Sequence, residues 1–572
     1  MKVSQIIWRR LFIRFGRMIG GLPSGWMRKV LLFLVLITGV LLIAMYAHAP
    51  PLVSLQPFAP RRTFNTPWSW ICVAGRCERR AIKTSQRSLA SCTATCGGHG
   101  RLLWPKPTGD LMLDTDESYK LEVKLNNKYL EGRITANSYH GVRHGLETLS
   151  QLFWWDEIAG KQGGLRVLSN VYVIDKPIFH YRGLLIDTGR QFFPIEQLKR
   201  VVDGMAASKL NTFHWHLTDS QSFPFDSIIF PHMARWGAYS AEETYSSADI
   251  KDLVDYARIR GIRIIIEIDS PAHAGAGWQW GPEHGLGELA LCVDQEPWSS
   301  YCGEPNCGQL NPINKHTYKI IEELYKELLD ITEVRDIIHL GGDEVNLDCW
   351  AQYSNITQAM QAQNFTDLHA LWADFEGKIY RRIVHANRDQ TPKAAILWSS
   401  PLTKRPWITS QPFDPKVHVI QSWGGSTWPE TGDLLEDGFR VILSHVDAWY
   451  LDCGFGKWRE TGEAACGEYR TWQTVYNHRP WRDYPSSMHL IMGGEAALWS
   501  EQIGQASLGP RLWPRASAFA ERLWSDPPGS GYTTEESVYT RLAAHIDLLQ
   551  ARGLKTEAMW PQWCTHNPGK CL

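Results

Sequence analysis

The sequence predicts an α/β fold: a (β/α)8 TIM barrel preceded by a small α/β domain and an N-terminal transmembrane helix. Three observations carry the barrel. From about residue 179 the chain alternates short apolar runs with helical stretches, and the runs number eight. Eight buried strands alternating with helices are what a closed parallel barrel needs. Polar and aromatic residues gather directly after the runs, on the side where a barrel places its chemistry. The alternative, an open doubly wound sheet, usually carries a Gly-rich first turn, and the stretch Ile186–Phe192 (IDTGRQF) lacks that fingerprint.

Taken from the start, residues 1–29 form a basic tail, with Lys2, Arg9, Arg10, Arg14, Arg17, Arg28, Lys29 and no acid. Val30–Ala47 is uncharged over eighteen residues, about the minimum for a membrane span. The positive-inside rule keeps the tail cytosolic and everything after Ala47 lumenal or extracellular. A cleaved signal peptide is the competing reading, but its apolar region is ordinarily about 7–15 residues with a shorter leader. The expectation is therefore a type II single-pass protein of the secretory pathway, in Golgi, vesicles or plasma membrane. Residues 48–70, rich in Pro and Trp, read as a stem. Residues 71–178 read as the small α/β domain: Tyr119–Leu125 alternates as a strand, and Tyr139–Leu152 has helical apolar spacing.

The catalytic domain is expected over 179–572. Its eight strands are Arg182–Asp187, Thr212–Leu217, Arg263–Ile268, Asp336–Leu340, Ala394–Trp398, His418–Trp423, Arg440–Leu443 and His489–Gly493. Residues ending or following these runs are Asp187 and Arg190, Asp219, Asp269 and His273, Asp343 and Glu344, Trp398, Trp423, Tyr450 and Asp452, then Glu495, Trp499 and Glu501.

Composition narrows the chemistry. A formal charge of -1 gives no basic face for nucleic acid. The 27 tryptophans supply flat apolar faces that suit sugar rings as well as cores. The twelve cysteines, Cys72, Cys77, Cys92, Cys96, Cys292, Cys302, Cys307, Cys349, Cys453, Cys466, Cys564 and Cys571, fit an even disulfide set in an oxidising compartment. Cys302 and Cys307 are placed to close a small loop. Cys72, Cys77, Cys92 and Cys96 also match a zinc site by spacing, but no His-x3-His follows. Asn355-Ile-Thr and Asn364-Phe-Thr are N-glycan acceptor sites.

Carboxylates, tryptophans and one arginine at strand ends, without metal-ligand spacing, point to glycosidic-bond cleavage and to no cofactor or metal. That reaction needs an acid for the leaving oxygen and stabilisation of an oxocarbenium-like carbon. Asp343 and Glu344 are adjacent in HLGGDEV, where the two glycines permit a tight turn that aims both into one pocket.

HLGGDEVNLDCW closely resembles the glycoside hydrolase family 20 β-N-acetylhexosaminidases. So do RGLLIDTGRQFFP, LNTFHWHLTDSQSFP, EIDSPAHAGAGW, GGEAALWSE and RLWPRASAFAERLW. The resemblance runs from about residue 119 to 571. WQWGPEHGLGELALCV, YCGEPNCGQLNP and WYLDCGFGKW are similar to the insect branch. The predicted anchor is similar to its fused-lobes members, which trim N-glycans. The resemblance implies Glu344 as general acid/base and Asp343 as the residue orienting the substrate's 2-acetamido group. That group's oxygen attacks the anomeric carbon, giving an oxazolinium intermediate and retention, so no second carboxylate nucleophile is needed. It further implies Arg190 on the C3 and C4 hydroxyls with Glu501 on C4, and Trp398, Trp423 and Trp499 as an aromatic wall. Tyr450 would donate to the acetamido oxygen and Asp452 would meet the outer hydroxyls. Asp219 and His273 would form a relay behind Glu344. Glu344 is expected protonated, its pKa raised by burial and by Asp343, and Asp343 ionised.

The expected substrate is a glycan ending in β-linked GlcNAc, with GalNAc as an alternative, and family resemblance allows a homodimer. Chitin-digesting relatives align with Trp where this chain has Ala465, which favours branched N-glycans over linear chito-oligosaccharides. Two other readings stand beside this one: a degradative chito-oligosaccharide or glycoconjugate hexosaminidase, and a non-catalytic GlcNAc-binding adhesion protein. A structural barrel without a sugar role leaves the strand-end cluster unexplained.

Overall fold

A computed structural model of the chain describes residues 77–79, 89–92, 110–126, 129–156, 164–410, 413–459, 467–528, 536–567 and 570–571. The eight apolar runs all form strands. We number them β1 (Tyr181–Asp187), β2 (Thr212–Thr218), β3 (Arg263–Ile268), β4 (Ile337–His339), β5 (Ala394–Trp398), β6 (His418–Ser422), β7 (Arg440–Leu443) and β8 (Ile491–Leu498). Nearly every residue in them is buried, as parallel strands covered on both faces require. All neighbours pair in parallel, in the order β3-β2-β1-β8-β7-β6-β5-β4. The end strands β3 and β4 lie beside each other, so the sheet curls into a nearly closed barrel.

One strand departs from expectation. The sequence places the eighth at His489–Gly493, but Met488–Leu490 is a 3₁₀ turn and β8 continues to Leu498. The Gly493–Gly494 pair, which looks like a terminator, lies inside the strand. Gly493 has φ +147, and any Cβ there would fall on the Tyr181 carbonyl oxygen of β1, so glycine is what lets β1 and β8 approach.

Helices between the strands close the outer layer: α1 (Ile195–Ala207), α2 (Ser247–Arg258), α3 (Lys315–Thr332), α4 (Leu368–Ala386), α5 (Glu430–Glu436), α6 (Trp472–Asn477) and α7 (Arg515–Ser525). Polar residues start several of them as expected. Ser246 and Asp249 form a capping box on α2, while Asn314, Asp367 and Thr471 cap α3, α4 and α6. Their apolar faces and the outward faces of the strands make one continuous core.

The barrel interior is unusual. Such interiors are ordinarily filled by layers of branched apolar side chains. Here Tyr181, His214, His216, Glu267, His339, Gln421 and Glu495 point inward and are buried. Glu495 accepts from Tyr181 at 2.5 Å, His214 at 2.7 Å and Gln421 at 2.7 Å. Glu267 accepts from Trp398 at 2.8 Å and lies 2.7 Å from His216 and 3.0 Å from His214.

Ahead of the barrel, Tyr119–Asn126 is the central strand of an antiparallel sheet with Tyr129–Ala136 and Val171–Asp175, and the predicted helix spans Tyr139–Gln151. A second antiparallel sheet comprises Cys77–Arg79, Leu89–Cys92, Gly164–Leu168 and Phe153–Asp156. Beneath β1, buried Glu117 takes two bonds from the Arg182 guanidinium, at 2.7 and 2.9 Å, and lies 2.9 Å from His144.

The predicted anchor Val30–Ala47, the stem 48–70, and Cys72, Cys96, Ala465 and Cys466 lie outside the described residues. Among the described residues no helix is long and apolar enough to cross a membrane. The longest, α4, carries Asp374, Glu376, Lys378, Arg381 and Arg382 within 19 residues, charges that lipid does not accept. The expected type II membrane localisation is corrected accordingly. Disulfides join Cys292 to Cys349, Cys302 to Cys307 and Cys564 to Cys571, and Cys453 is likewise oxidised. Asn355 and Asn364 are both exposed.

Candidate active site

The strand ends converge as the barrel geometry demands. Asp187 ends β1, and Asp219, Asp269, Asp343, Trp423 and Trp499 lie within a few residues of the ends of β2, β3, β4, β6 and β8. Gly341 and Gly342 both have positive φ, at +74 and +99, and Glu344 follows at +48. This left-handed path turns the chain sharply after β4. It leaves Asp343 half-buried and the Glu344 side chain facing outward, 41% exposed.

A chain of charges runs behind Glu344. Its Oε2 lies 3.4 Å from His273 Nε2, and His273 Nδ1 lies 3.2 Å from Asp219 Oδ1. Asp219 Oδ2 in turn meets Arg190 at 2.9 Å and His216 at 2.9 Å. Arg190 is clasped further by Glu304 at 2.8 Å and Asp187 at 3.5 Å. Burial works against the His273 cation, but the Asp219 charge overrides it and holds its pKa well above the ordinary histidine value. Burial likewise opposes an ionised Asp219, yet Arg190 and His273 keep it well below the usual carboxylate range.

The two consecutive carboxyls have the opposite protonation bias to the one expected. Burial raises Glu344, but the hydrogen bond and charge of His273, with Arg190, more than cancel it, so its pKa is lowered. Asp343 is held well above the carboxylate range, by burial first and then by the Asp269 charge. Asp269 is itself pushed up to about 7, by burial and by Glu267 beneath it. The reason is placement: Glu344 is next to a cation, whereas Asp343 Oδ1 is buried without a hydrogen-bond partner among the described residues. The two shifts run in opposite directions and favour a proton on Asp343 over one on Glu344.

On the opposite side Trp398, Trp423, Tyr450 and Trp499 share one apolar cluster. The Trp398 and Trp499 rings lie 5.8 Å apart, and the Arg190 guanidinium sits over Trp499 at 5.3 Å. Trp398 is the floor, 1% exposed, and Trp423 is fixed by donating to the Ser399 carbonyl at 2.8 Å. Tyr450 is bridged to Ala497 of β8. Burial raises its pKa well above the ordinary phenol value, keeping it a neutral donor. Asp452 accepts from Trp499 N at 3.4 Å and is pushed up to about 7 by burial. Glu501 is raised by burial although Arg190 attracts its ionised form.

Asp219, His273, Glu344 and Arg190 are therefore joined directly, with Asp343 beside His273. Trp398, Trp423, Tyr450 and Trp499 pack as one cluster that meets Asp452 through Trp499 N and Arg190 through the Trp499 ring, and Glu501 feels the Arg190 charge. Glu495 does not belong among them. It lies within β8, inside the barrel, because that strand is longer than expected. Glu304 was not foreseen. It reaches Arg190 from the loop closed by Cys302–Cys307, and with Gly303 and Gln309 it lines a cleft shared with His273 and Glu344. Glu267 was legible as a lone acid inside the apolar run RIIIEI. Among the described residues four carboxylate–histidine groups have atoms close enough to share a cation: Asp269, His273 and Asp343 in this site, two in the barrel interior, and His445, Asp447 and His478 outside both.

The glycosyl hydrolase family 20 catalytic-domain profile matches residues 179–527, and a beta-acetyl hexosaminidase-like profile matches 75–152. The probable beta-hexosaminidase fdl of Drosophila melanogaster is 49% identical, over 81% of this chain and 69% of that protein. The chitooligosaccharidolytic beta-N-acetylglucosaminidase of Ostrinia furnacalis is 36% identical, over 96% of this chain and 100% of its own length. Among solved structures, the family 20 exo beta-N-acetylglucosaminidase of Vibrio harveyi, in complex with N-acetylglucosamine, superposes with a TM-score of 0.62. It is 26% identical, over 78% of this chain and 68% of that one. The chain belongs to glycosyl hydrolase family 20. It is a glycoside hydrolase of the β-hexosaminidase type.

Proposed function

We propose that the protein removes terminal β-linked GlcNAc from N-glycans, with retention, using the substrate's own acetamido group as nucleophile. The observation that carries the mechanism is the Asp343–Glu344 pair. One carboxyl faces outward beside His273, and the other is half-buried with an oxygen that has no hydrogen-bond partner among the described residues. An acetamido N–H placed against Asp343 Oδ1 gives that oxygen its missing donor. Hydrogen bonding to the ionised form favours it, so substrate binding draws the proton from Asp343 toward Glu344.

Glu344 then protonates the glycosidic oxygen as the acetamido oxygen attacks the anomeric carbon and the aglycone leaves. Ionised Asp343 stabilises positive charge on the acetamido nitrogen, and Tyr450 donates to its oxygen. Water next attacks the same carbon, losing its proton to Glu344 and returning the sugar with its original configuration. An internal nucleophile supplies effective molarities of about 10⁵ M or more, which explains the lack of need for a second carboxylate. Arg190, held by Asp219, Glu304 and Asp187, takes the outer hydroxyls together with Asp452 and Glu501. Trp398, Trp423 and Trp499 enclose the ring and the acetamido methyl.

The N-glycan preference rests on likeness. Identity to the probable beta-hexosaminidase fdl is 49%, against 36% and 40% for two chitooligosaccharidolytic relatives. The test is digestion of a biantennary glycan ending in GlcNAc beside chitotriose, read by mass spectrometry. Loss of GlcNAc from the glycan with chitotriose spared supports the reading; faster digestion of chitotriose overturns the preference and keeps the chemistry. For the mechanism, Glu344→Gln should cost about 10²–10⁴ in rate on a substrate with a poor leaving group. Near-normal turnover there would remove Glu344 from the role.

A further inference from the structure

Outside the sugar site, three side chains converge behind the loop that carries Tyr450 and Asp452. His445 lies two residues beyond β7, Asp447 two further on, and His478 ends helix α6. One ligand atom from each lies within 4.8 Å of the others. The pairing of the two imidazoles is direct, His445 Nδ1 to His478 Nε2 at 2.8 Å. The remaining atoms are anchored from behind. His445 Nε2 lies 3.3 Å from Thr431 Oγ1, and Asp447 Oδ2 accepts the Ser426 N–H at 3.0 Å. Asp447 Oδ1 is buried and has no hydrogen-bond partner among the described residues. Trp449 covers the group, its ring 4.8 Å from that of His478.

We infer that His445, Asp447 and His478 form a binding site for a divalent transition-metal ion of the zinc class. A plain imidazole–imidazole hydrogen bond satisfies the two rings but leaves a buried carboxylate oxygen unpaired, which is costly. A cation held by His445 Nδ1, His478 Nε2 and an Asp447 carboxylate oxygen takes the place of the hydrogen bond between the rings, whose proton passes to the donor ring's other nitrogen. The far sides of His445 and Asp447 already carry the orienting partners that metal ligands ordinarily have. Two imidazoles and one carboxylate select zinc-like ions over calcium or magnesium, which prefer oxygen alone. Metal–nitrogen bonds of about 2.0–2.1 Å in a tetrahedral set require the two nitrogens about 3.3 Å apart, a shift of about half an ångström from the present pairing. Water completes the set. The ion ties the segment after β6 through Ser426, the segment after β7 and the end of α6 into one unit, so it acts on the sugar site through the seating of Tyr450 and Asp452.

The test uses the full-length enzyme stripped with a chelator and titrated with Co²⁺, then Zn²⁺. The expected result is a saturable visible ligand-field band reaching one Co²⁺ per chain, displaced by Zn²⁺. The His445→Asn/His478→Asn double variant should lose the band, and Asp447→Asn should weaken binding about 10-fold or more. Variants are checked for folding by circular dichroism and for hydrolysis of a p-nitrophenyl GlcNAc substrate. Folded wild-type enzyme without a band overturns the inference, as does a band that persists in the folded double variant. If the variants do not fold, X-ray absorption of the zinc-loaded wild type decides: two imidazoles with oxygen support the site, and any other set overturns it.

Discussion

Replacing Asp219 with Asn tests how the site holds its protons. The carboxylate meets Arg190 at 2.9 Å, His216 at 2.9 Å and His273 at 3.2 Å, and the side chain is buried. Unit charges about 4 Å apart interact by about 4 kcal/mol at an effective dielectric of 20. Removing the Asp219 charge withdraws that support from the His273 cation. Since burial already opposes the cation, His273 should become neutral near pH 7. Glu344 then loses the neighbour that lowers its pKa most. Its proton affinity rises, and the alkaline limb of the kcat/KM profile, where the acid loses its proton, should move to higher pH. The maximum should also fall, by about 10²-fold or more, because a neutral His273 and a loosened Arg190 no longer fix the reacting groups. The assay is the pH dependence of kcat/KM on a chromogenic GlcNAc glycoside. A profile that keeps its alkaline limb, with a maximum within twofold of wild type, would refute the coupling of Glu344 to Asp219 through His273.

Gly493→Ala should destabilise the barrel by about 2–4 kcal/mol, because the new methyl meets the backbone carbonyl of Tyr181 at a positive φ; an unchanged Tm in thermal unfolding would contradict the packing of β1 on β8. Arg182→Met strands the buried Glu117 carboxylate and should cost about 3–5 kcal/mol, read by denaturant unfolding; a loss within experimental error would mean that Glu117 and Arg182 do not pair. Asp269 has its folded pKa raised to about 7, against about 3.9 unfolded, so the native state retains a proton that the unfolded chain has lost between those values. Stability should therefore fall as pH rises from about 4 to 7. Asp269→Asn, which keeps an acceptor for Gly342 N–H, should flatten that slope in urea unfolding at several pH values, and an unaltered slope would count against the raised pKa.

The barrel and most of its site were legible because apolar runs and strand ends are local features. Asp343, Glu344, Arg190 and His273 each follow a run whose length and composition mark a buried strand. Glu304 was not legible: it reaches Arg190 from 114 residues away in sequence, and only the small disulfide loop brings it there. Glu495 was misplaced because a glycine pair reads as a strand end when the neighbour that demands it is not yet known. The directions of the Asp343 and Glu344 shifts were not legible for a related reason. Two adjacent acids in sequence say nothing of which one hydrogen-bonds His273 and which is buried beside Asp269, and that placement sets the direction of each shift.

The polar interior of the barrel has a consequence for how such an enzyme changes over time. Glu267 is within the strand wall, touches His214, His216 and Trp398, and raises Asp269 above it. The field felt at the strand ends is thus partly generated from below, by residues that never contact a sugar. A lineage moving to a more acidic or more alkaline habitat has variation available there, a tuning layer separate from the recognition layer. Substitutions in that layer would shift the working pH and leave substrate choice to the loops above.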